Sequence, residues 1–302
     1  MITVDLGNYE LNIEGDYREG FDPLVQNNAS TNKKVIDETE TTVGFIYNCV
    51  YKQRASLEYG LESIRKHYPT SKIYIVSDGG DDFSYLENKF DNLKFDMGED
   101  TVGDYLKMNF HNFTEPHNQK SIKKNISAML ERVTKGIEYC GNPEWTFMTE
   151  PDVLLRGKFS VPENAKLLGT RLNYAWDLPI RIEQYVKLNE ILSQIDSSIP
   201  MFRWGAVPPI FHTETFLKSV EIYKNNFDVL DKMTEVLFGV NCFDVIIPVL
   251  FALSGEEEVY NSEIIECIRN PEWKTTSHPI VHQWRELYEE DDHCNYADQF
   301  EK

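Results

Sequence analysis

The chain has no excess of positive charge, no long apolar run, no paired-cysteine motif and no glycine-rich loop behind its first strong strand. Each absence excludes something. Lys and Arg total 30 against 50 Asp and Glu, a formal net charge of −20. That balance argues against nucleic acid or an anionic membrane as the main partner. A phosphate ligand would then need local lysines, backbone N–H groups or a cation. No segment reaches the ~18 consecutive apolar residues of a membrane span. The opening MITVDLGNYELNIEGDYREG lacks the basic-then-apolar layout of a signal peptide. Cys49, Cys140, Cys242, Cys267 and Cys294 form no CxxC and no metal-ligand spacing. They read as reduced thiols, so a soluble protein of the cytoplasm is expected. Sequon tripeptides at Asn28, Asn112 and Asn125 match a pattern that is common by chance.

What is present can form a core. Apolar residues make up 41% and aromatics 13% of 302 positions, enough for one large domain or two small ones. Residues 1–40 are polar with a short alternation at Ile2, Val4 and Leu6, and read as an N-terminal arm or hairpin. TVGFIYNCVY (42–51) is an apolar run of strand length. RASLEYGLESIRKHYP then puts Leu57, Leu61 and Ile64 at helical spacing and ends on Pro69. SKIYIVSDGGDD is a strand closed by turn residues, and LKF (93–95) is a short third strand. NQKSIKKNISAMLERVTKGIEYCG (118–141) carries Ile122, Ile126, Met129, Leu130, Val133 and Ile137 on one helical face, with Gly141 at its end. WTFM (145–148) follows as another strand. Strands alternating with helices predict an α/β fold with a parallel sheet, which binds ligands outside the carboxyl ends of its strands.

Two predicted strands carry acids at that edge. In SDGGDD, Asp78 stands at a strand exit before two glycines that let the backbone turn sharply beside a ligand. A carboxylate there can accept hydrogen bonds from a ribose or a base, though Asp-Gly is also an ordinary turn dipeptide. In WTFMTEPDVLLRG, Glu150 and Asp152 are two apart and face the same side of an extended chain. Such a pair can meet Mn²⁺ or Mg²⁺, whose other positions go to water and phosphate oxygens. The plain alternative is a turn with Pro151 at its second position. Lys120, Lys123 and Lys124 precede Asn125 near a helix start, where phosphate is attracted; a solvated basic face is the other reading.

FIYNCVYKQRASLEYGLESI, IYIVSDGGDD, KNISAMLERVTKGIEYC and WTFMTEPDVLLRG together resemble a nucleotide-sugar glycosyltransferase of the GT-A fold. The resemblance implies a Rossmann-like, mixed but mostly parallel sheet flanked by helices, with an N-terminal arm and a C-terminal acceptor-side segment. It divides one compact domain into an arm at 1–40, a nucleotide-sugar-binding half at 41–158 and an acceptor-binding half with an acidic tail at 159–302. The first strand and its loop, with Asn48 and Tyr51, would hold the nucleobase, and Asp78 would contact the nucleoside. Lys124 and Asn125 would face the donor. Glu150-Pro151-Asp152 takes the place of the Asp-x-Asp motif that binds Mn²⁺ and the donor diphosphate. Its first position is Glu, a form similar to that in fungal α-1,2-mannosyltransferases.

The second half fits the same outline. In RWGAVPPIFHTETFLKSVEIY, Thr213 is expected as an N-cap with Phe216, Leu217 and Val220 packed inward. GVNCFDVIIPVLFALSG puts Asp244 at the head of an apolar helix. Held ionised there it could be the general base of an inverting enzyme, or it is an ordinary cap. In SHPIVHQW the resemblance implies a late histidine as a further metal ligand. His282 is preferred, because His278 precedes a proline; a hydrogen-bonded structural histidine is the alternative. Tyr174, Trp176 and Trp204 could stack on an acceptor sugar or fill core. The expectation is a hexosyl- or pentosyltransferase that uses Mn²⁺ or Mg²⁺, a nucleoside-diphosphate sugar and a glycan or glycoconjugate acceptor. Inversion follows if Asp244 is the base and is slightly favoured; retention goes with the late histidine. A sugar nucleotidyltransferase would show a glycine-rich basic loop where NCVYKQRAS stands. A silent binding module on the same fold would need no metal.

Overall fold

The computed structural model describes residues 2–5, 10–13, 25–26, 32–49, 54–77, 82–97, 119–151, 153–171, 187–188, 190–195, 206–233, 242–256, 259–261, 263–266 and 278–282. Its strands are β1 (Ile2–Asp5), β2 (Glu10–Ile13), β3 (Val25–Gln26), β4 (Lys33–Val35), β5 (Val43–Cys49), β6 (Lys72–Ser77), β7 (Leu93–Asp96), β8 (Trp145–Thr149), β9 (Val153–Leu155), β10 (Ser160–Pro162), β11 (Leu167–Arg171), β12 (Ala206–His212), β13 (Val259–Asn261), β14 (Ile264–Glu266) and β15 (Ile280–His282). The main helices are α1 (Arg54–His67), α2 (Gln119–Cys140), α3 (Thr213–Asn225) and α4 (Cys242–Leu253).

Among the described residues the central sheet has eight strands, in the order β3-β13-β11-β12-β8-β5-β6-β7. Only the pairings of β12 with β11 and β8 are antiparallel; the rest are parallel. The fold is therefore mixed α/β with a mostly parallel sheet, as the strand–helix alternation predicts. Strands β5 and β6 read as unbroken apolar runs because both faces of the sheet are covered. Pro208 and Pro209 remove two ladder donors from β12, and beside them the β11–β12 register slips between Leu168 and Thr170.

Each face carries its own core. On one side Leu57, Leu61 and Ile64 of α1 pack on Phe45, Tyr47, Ile73, Ile75 and Phe147. On the other, Ile126, Met129, Leu130, Val133 and Ile137 of α2, with Phe216 and Val220 of α3 and Ile246 and Leu250 of α4, cover Ile46, Tyr74, Val76, Met148 and Phe211. Helix α2 stops at Gly141 (φ 83°). The Gly141 and Asn142 amides donate back to the Glu138 and Ile137 carbonyls, which satisfies the last turn through a left-handed glycine.

Within residues 1–40, β1 pairs antiparallel with β2. Two later pieces of residues 1–40 join the body of the fold: β3 pairs with β13 and β4 with β10. A small sheet, β14-β15-β9, lies on the α1 face through Val153, Leu155, Ile264 and Ile280. Thr213 is the first residue of α3 and not its N-cap; His212 takes that position. The Thr213 hydroxyl is engaged elsewhere, 2.9 Å from that of Thr146 on β8. Phe216 and Val220 are buried as expected, and Leu217 is partly buried. Among the described residues no helix is long and apolar enough to cross a membrane.

Candidate functional site

The chain runs from β5 outward to β6 and β7, then returns to place β8 on the other side of β5. Strand order reverses there, and the helices joined to the two strands cover opposite faces. The carboxyl ends of β5 and β8 at such a reversal are the usual ligand position in a sheet of this kind. Strand β8 ends at Thr149, opposite Tyr47, and β5 runs on to Cys49.

Glu150 is the first residue beyond β8. Its carbonyl accepts from the Val153 amide at 3.0 Å, closing a four-residue turn with Pro151 in second place. Proline ends the ladder here, and the turn carries the chain across the rim. The chain then enters β9, which pairs antiparallel with β15 so that Val153 faces His282. Arg156 and Gly157 both donate their amides to the Pro279 carbonyl, at 2.7 and 3.2 Å, and fix this late segment. His282 is thereby buried with its Nε2 3.4 Å from Oε2 of Glu150. His278, at the far end of the segment, is exposed and stands 3.3 Å from the Glu263 carbonyl.

Asn48 is the penultimate residue of β5. Its Oδ1 is buried and has no hydrogen-bond partner among the described residues. Buried polar atoms are normally paired, so this acceptor at the rim is suited to a ligand N–H or hydroxyl. The Ser77 hydroxyl, at the end of β6, is likewise buried and without a partner among the described residues. Its carbonyl accepts from Nη2 of Arg132 at 3.2 Å. Arg132 is a buried cation on α2 close to the rim. It lies beside the Tyr74 phenol, which donates to Asp96 at 2.5 Å. Burial first, then that hydrogen bond, raises the Tyr74 pKa, and Arg132 opposes them.

Solved glycosyltransferase structures resemble the chain. An active-site mutant of LgtC matches at TM-score 0.43, and galactosyltransferase LgtC in complex with donor and acceptor sugar analogues at 0.40. Each match is 11% identical and covers 85% of this chain and 94% of the other. No protein-family model matches, and no curated protein matches in sequence. A likeness at this level does not assign an activity.

Of the residues expected at the site, Glu150 and His282 meet, and Asn48 shares their rim. Lys124 and Asn125 belong to α2 and Asp244 is the third residue of α4, but their side chains lie outside the described residues. Tyr51, Asp78, Asp152, Tyr174, Trp176 and Trp204 also lie outside them. Among the described residues no group of three or more His, Cys, Asp or Glu gathers that could hold a metal ion. The Glu150–His282 pair offers one hard carboxylate and one imidazole, a donor set suited to Mn²⁺. Arg132 was not among the expected residues. It is three after Met129 on the inward face of α2, and an arginine there was the signal.

Proposed function

We propose that this protein transfers a sugar from a nucleoside-diphosphate sugar to a hydroxyl of a glycan or related acceptor, with a divalent metal at the Glu150 turn. The observation that carries the reading is the meeting of Glu150 and His282, far apart in sequence, at the strand-order reversal. Glu150, Asp152 and His282 would hold the ion. It would supply Lewis-acid neutralisation of the leaving diphosphate. Asn48 Oδ1 accepts a hydrogen bond from the base or ribose, and Asp78 takes the nucleoside. Tyr174, Trp176 and Trp204 form the acceptor side. Of the two stereochemical outcomes, retention is favoured, because the late histidine stands beside Glu150; Asp244 then serves α4 as a first-turn acid.

The test is a panel of nucleoside-diphosphate sugars read by thermal shift with Mn²⁺ and with chelator. A ligand at a hundredfold its Kd adds about 2.7 kcal/mol, or about 4 °C for a chain of this length. One donor should give that shift only with metal, and Asp152→Asn should remove it. The anomer formed on turnover, read by NMR, distinguishes retention from inversion. Were no donor to shift the protein with Mn²⁺ present, the assignment would be abandoned.

A further inference from the structure

We propose that Gly60 and Ser63 of α1 are positioning residues for the Glu150 turn. The inference takes its metal from the proposed function but its geometry from packing alone. A glycine inside a helix costs roughly 0.5–1 kcal/mol relative to alanine. Gly60 sits mid-helix and buried, so its occurrence needs a cause. Space is that cause. A Cβ at Gly60 would lie 3.0 Å from the Tyr47 hydroxyl, 3.2 Å from the Val153 carbonyl oxygen and 3.8 Å from that of Pro151. Two of these three atoms are backbone on either side of Asp152. The helix therefore seats directly against the turn.

Ser63 adds a tie one helical turn further on. Its hydroxyl donates to the Gly60 carbonyl at 2.7 Å and accepts the Leu155 amide at 3.0 Å. Leu155 belongs to β9, and β9 also bears Val153, the register partner of His282. A displacement of Val153 thus reaches Glu150 through the turn hydrogen bond and His282 through the strand pairing. Because α1 begins at Arg54, soon after β5 ends at Cys49, one helix links the proposed nucleoside side of the site to its acid turn.

The test uses Gly60→Ala and Ser63→Ala in the full chain. Two readouts are taken: the His282 ring ¹⁵N signals without metal, and the apparent Mn²⁺ affinity in the presence of donor. His212, paired with Trp145 at the amino end of β8 and so away from Glu150, is the internal reference. Alanine at position 60 must displace its neighbours by a few tenths of an ångström. Both variants should move the His282 signals, leave those of His212 in place and weaken Mn²⁺ on the order of tenfold. If Gly60→Ala does not fold, Ser63→Ala, which adds no atoms, decides alone. Unmoved His282 signals and unchanged Mn²⁺ affinity in a folded variant would overturn the proposal. Shifted His282 signals in a protein that never responds to Mn²⁺ would uphold the positioning role and refute the sugar-transfer reading.

Discussion

The Glu150–His282 contact should register as a coupling energy before any metal is added. The two atoms are 3.4 Å apart, with side-chain exposures of 30% for Glu150 and 4% for His282. An exposed ion pair couples by only ~0.2–1 kcal/mol, whereas a hydrogen bond to a charged group reaches ~1.5–3 kcal/mol. With one partner buried and the other at the rim, about 1–1.5 kcal/mol is expected. Unfolding entropy of about 2.1 cal/mol/K per residue makes that about 2 °C in Tm for this chain. Glu150→Ala, His282→Ala and the double variant, measured by calorimetry in chelator, form the cycle. The double variant should melt about 2 °C above the sum of the single losses. A coupling within about 0.3 kcal/mol of zero would refute the contact, since that is the scatter of independent sites. With Mn²⁺ and donor the apparent coupling should grow, because either single variant already loses the ion.

Three further outcomes follow from other parts of the molecule. Tyr68 is buried, donates its hydroxyl to the Ile36 carbonyl and accepts the Phe159 amide, both at 3.1 Å. Tyr68→Phe should cost about 1–3 kcal/mol by calorimetry, since two buried groups lose their partner. The Lys158 ammonium, with Thr39, holds the Asp37 carboxyl down at about 2, from an ordinary 3.8. A folded value below the unfolded one gives stability that is present above pH 3.8 and lost as pH falls through about 2. Asp37→Asn should therefore flatten the fall of Tm between those values. Burial pushes the Cys140 thiol up to about 12. At pH 8 its thiolate fraction is on the order of 10⁻⁴, so peptide mass spectrometry should find it almost unlabelled by iodoacetamide after free peptide cysteine has reacted fully.

Local patterns carried much of the architecture. The spacing of Leu57, Leu61 and Ile64 is enough to orient α1, because burial follows the 3.6-residue period whatever the partner is. Gly141 ends α2 for a reason confined to its own backbone. Where a side chain had two possible partners, local reading failed. Thr213 looks like a cap by type and position, yet its hydroxyl goes to Thr146, a strand residue remote in sequence. Gly60 reads as a weak point in a helix until the acid turn is laid against it.

By itself the sequence determined the strand–helix alternation, the two apolar faces of the sheet's covering helices and the break in the chain at Glu150-Pro151-Asp152. These depend on periodicity and on proline's missing N–H, which act over a few residues. Only the tertiary structure decided that β8 lies beside β5, that β12 runs against its neighbours, and that β15 pairs with β9 so that His282, the histidine already preferred from sequence, lies against Glu150. Strand order and long-range pairing come from the summed packing of both cores, and no short window of residues contains that sum.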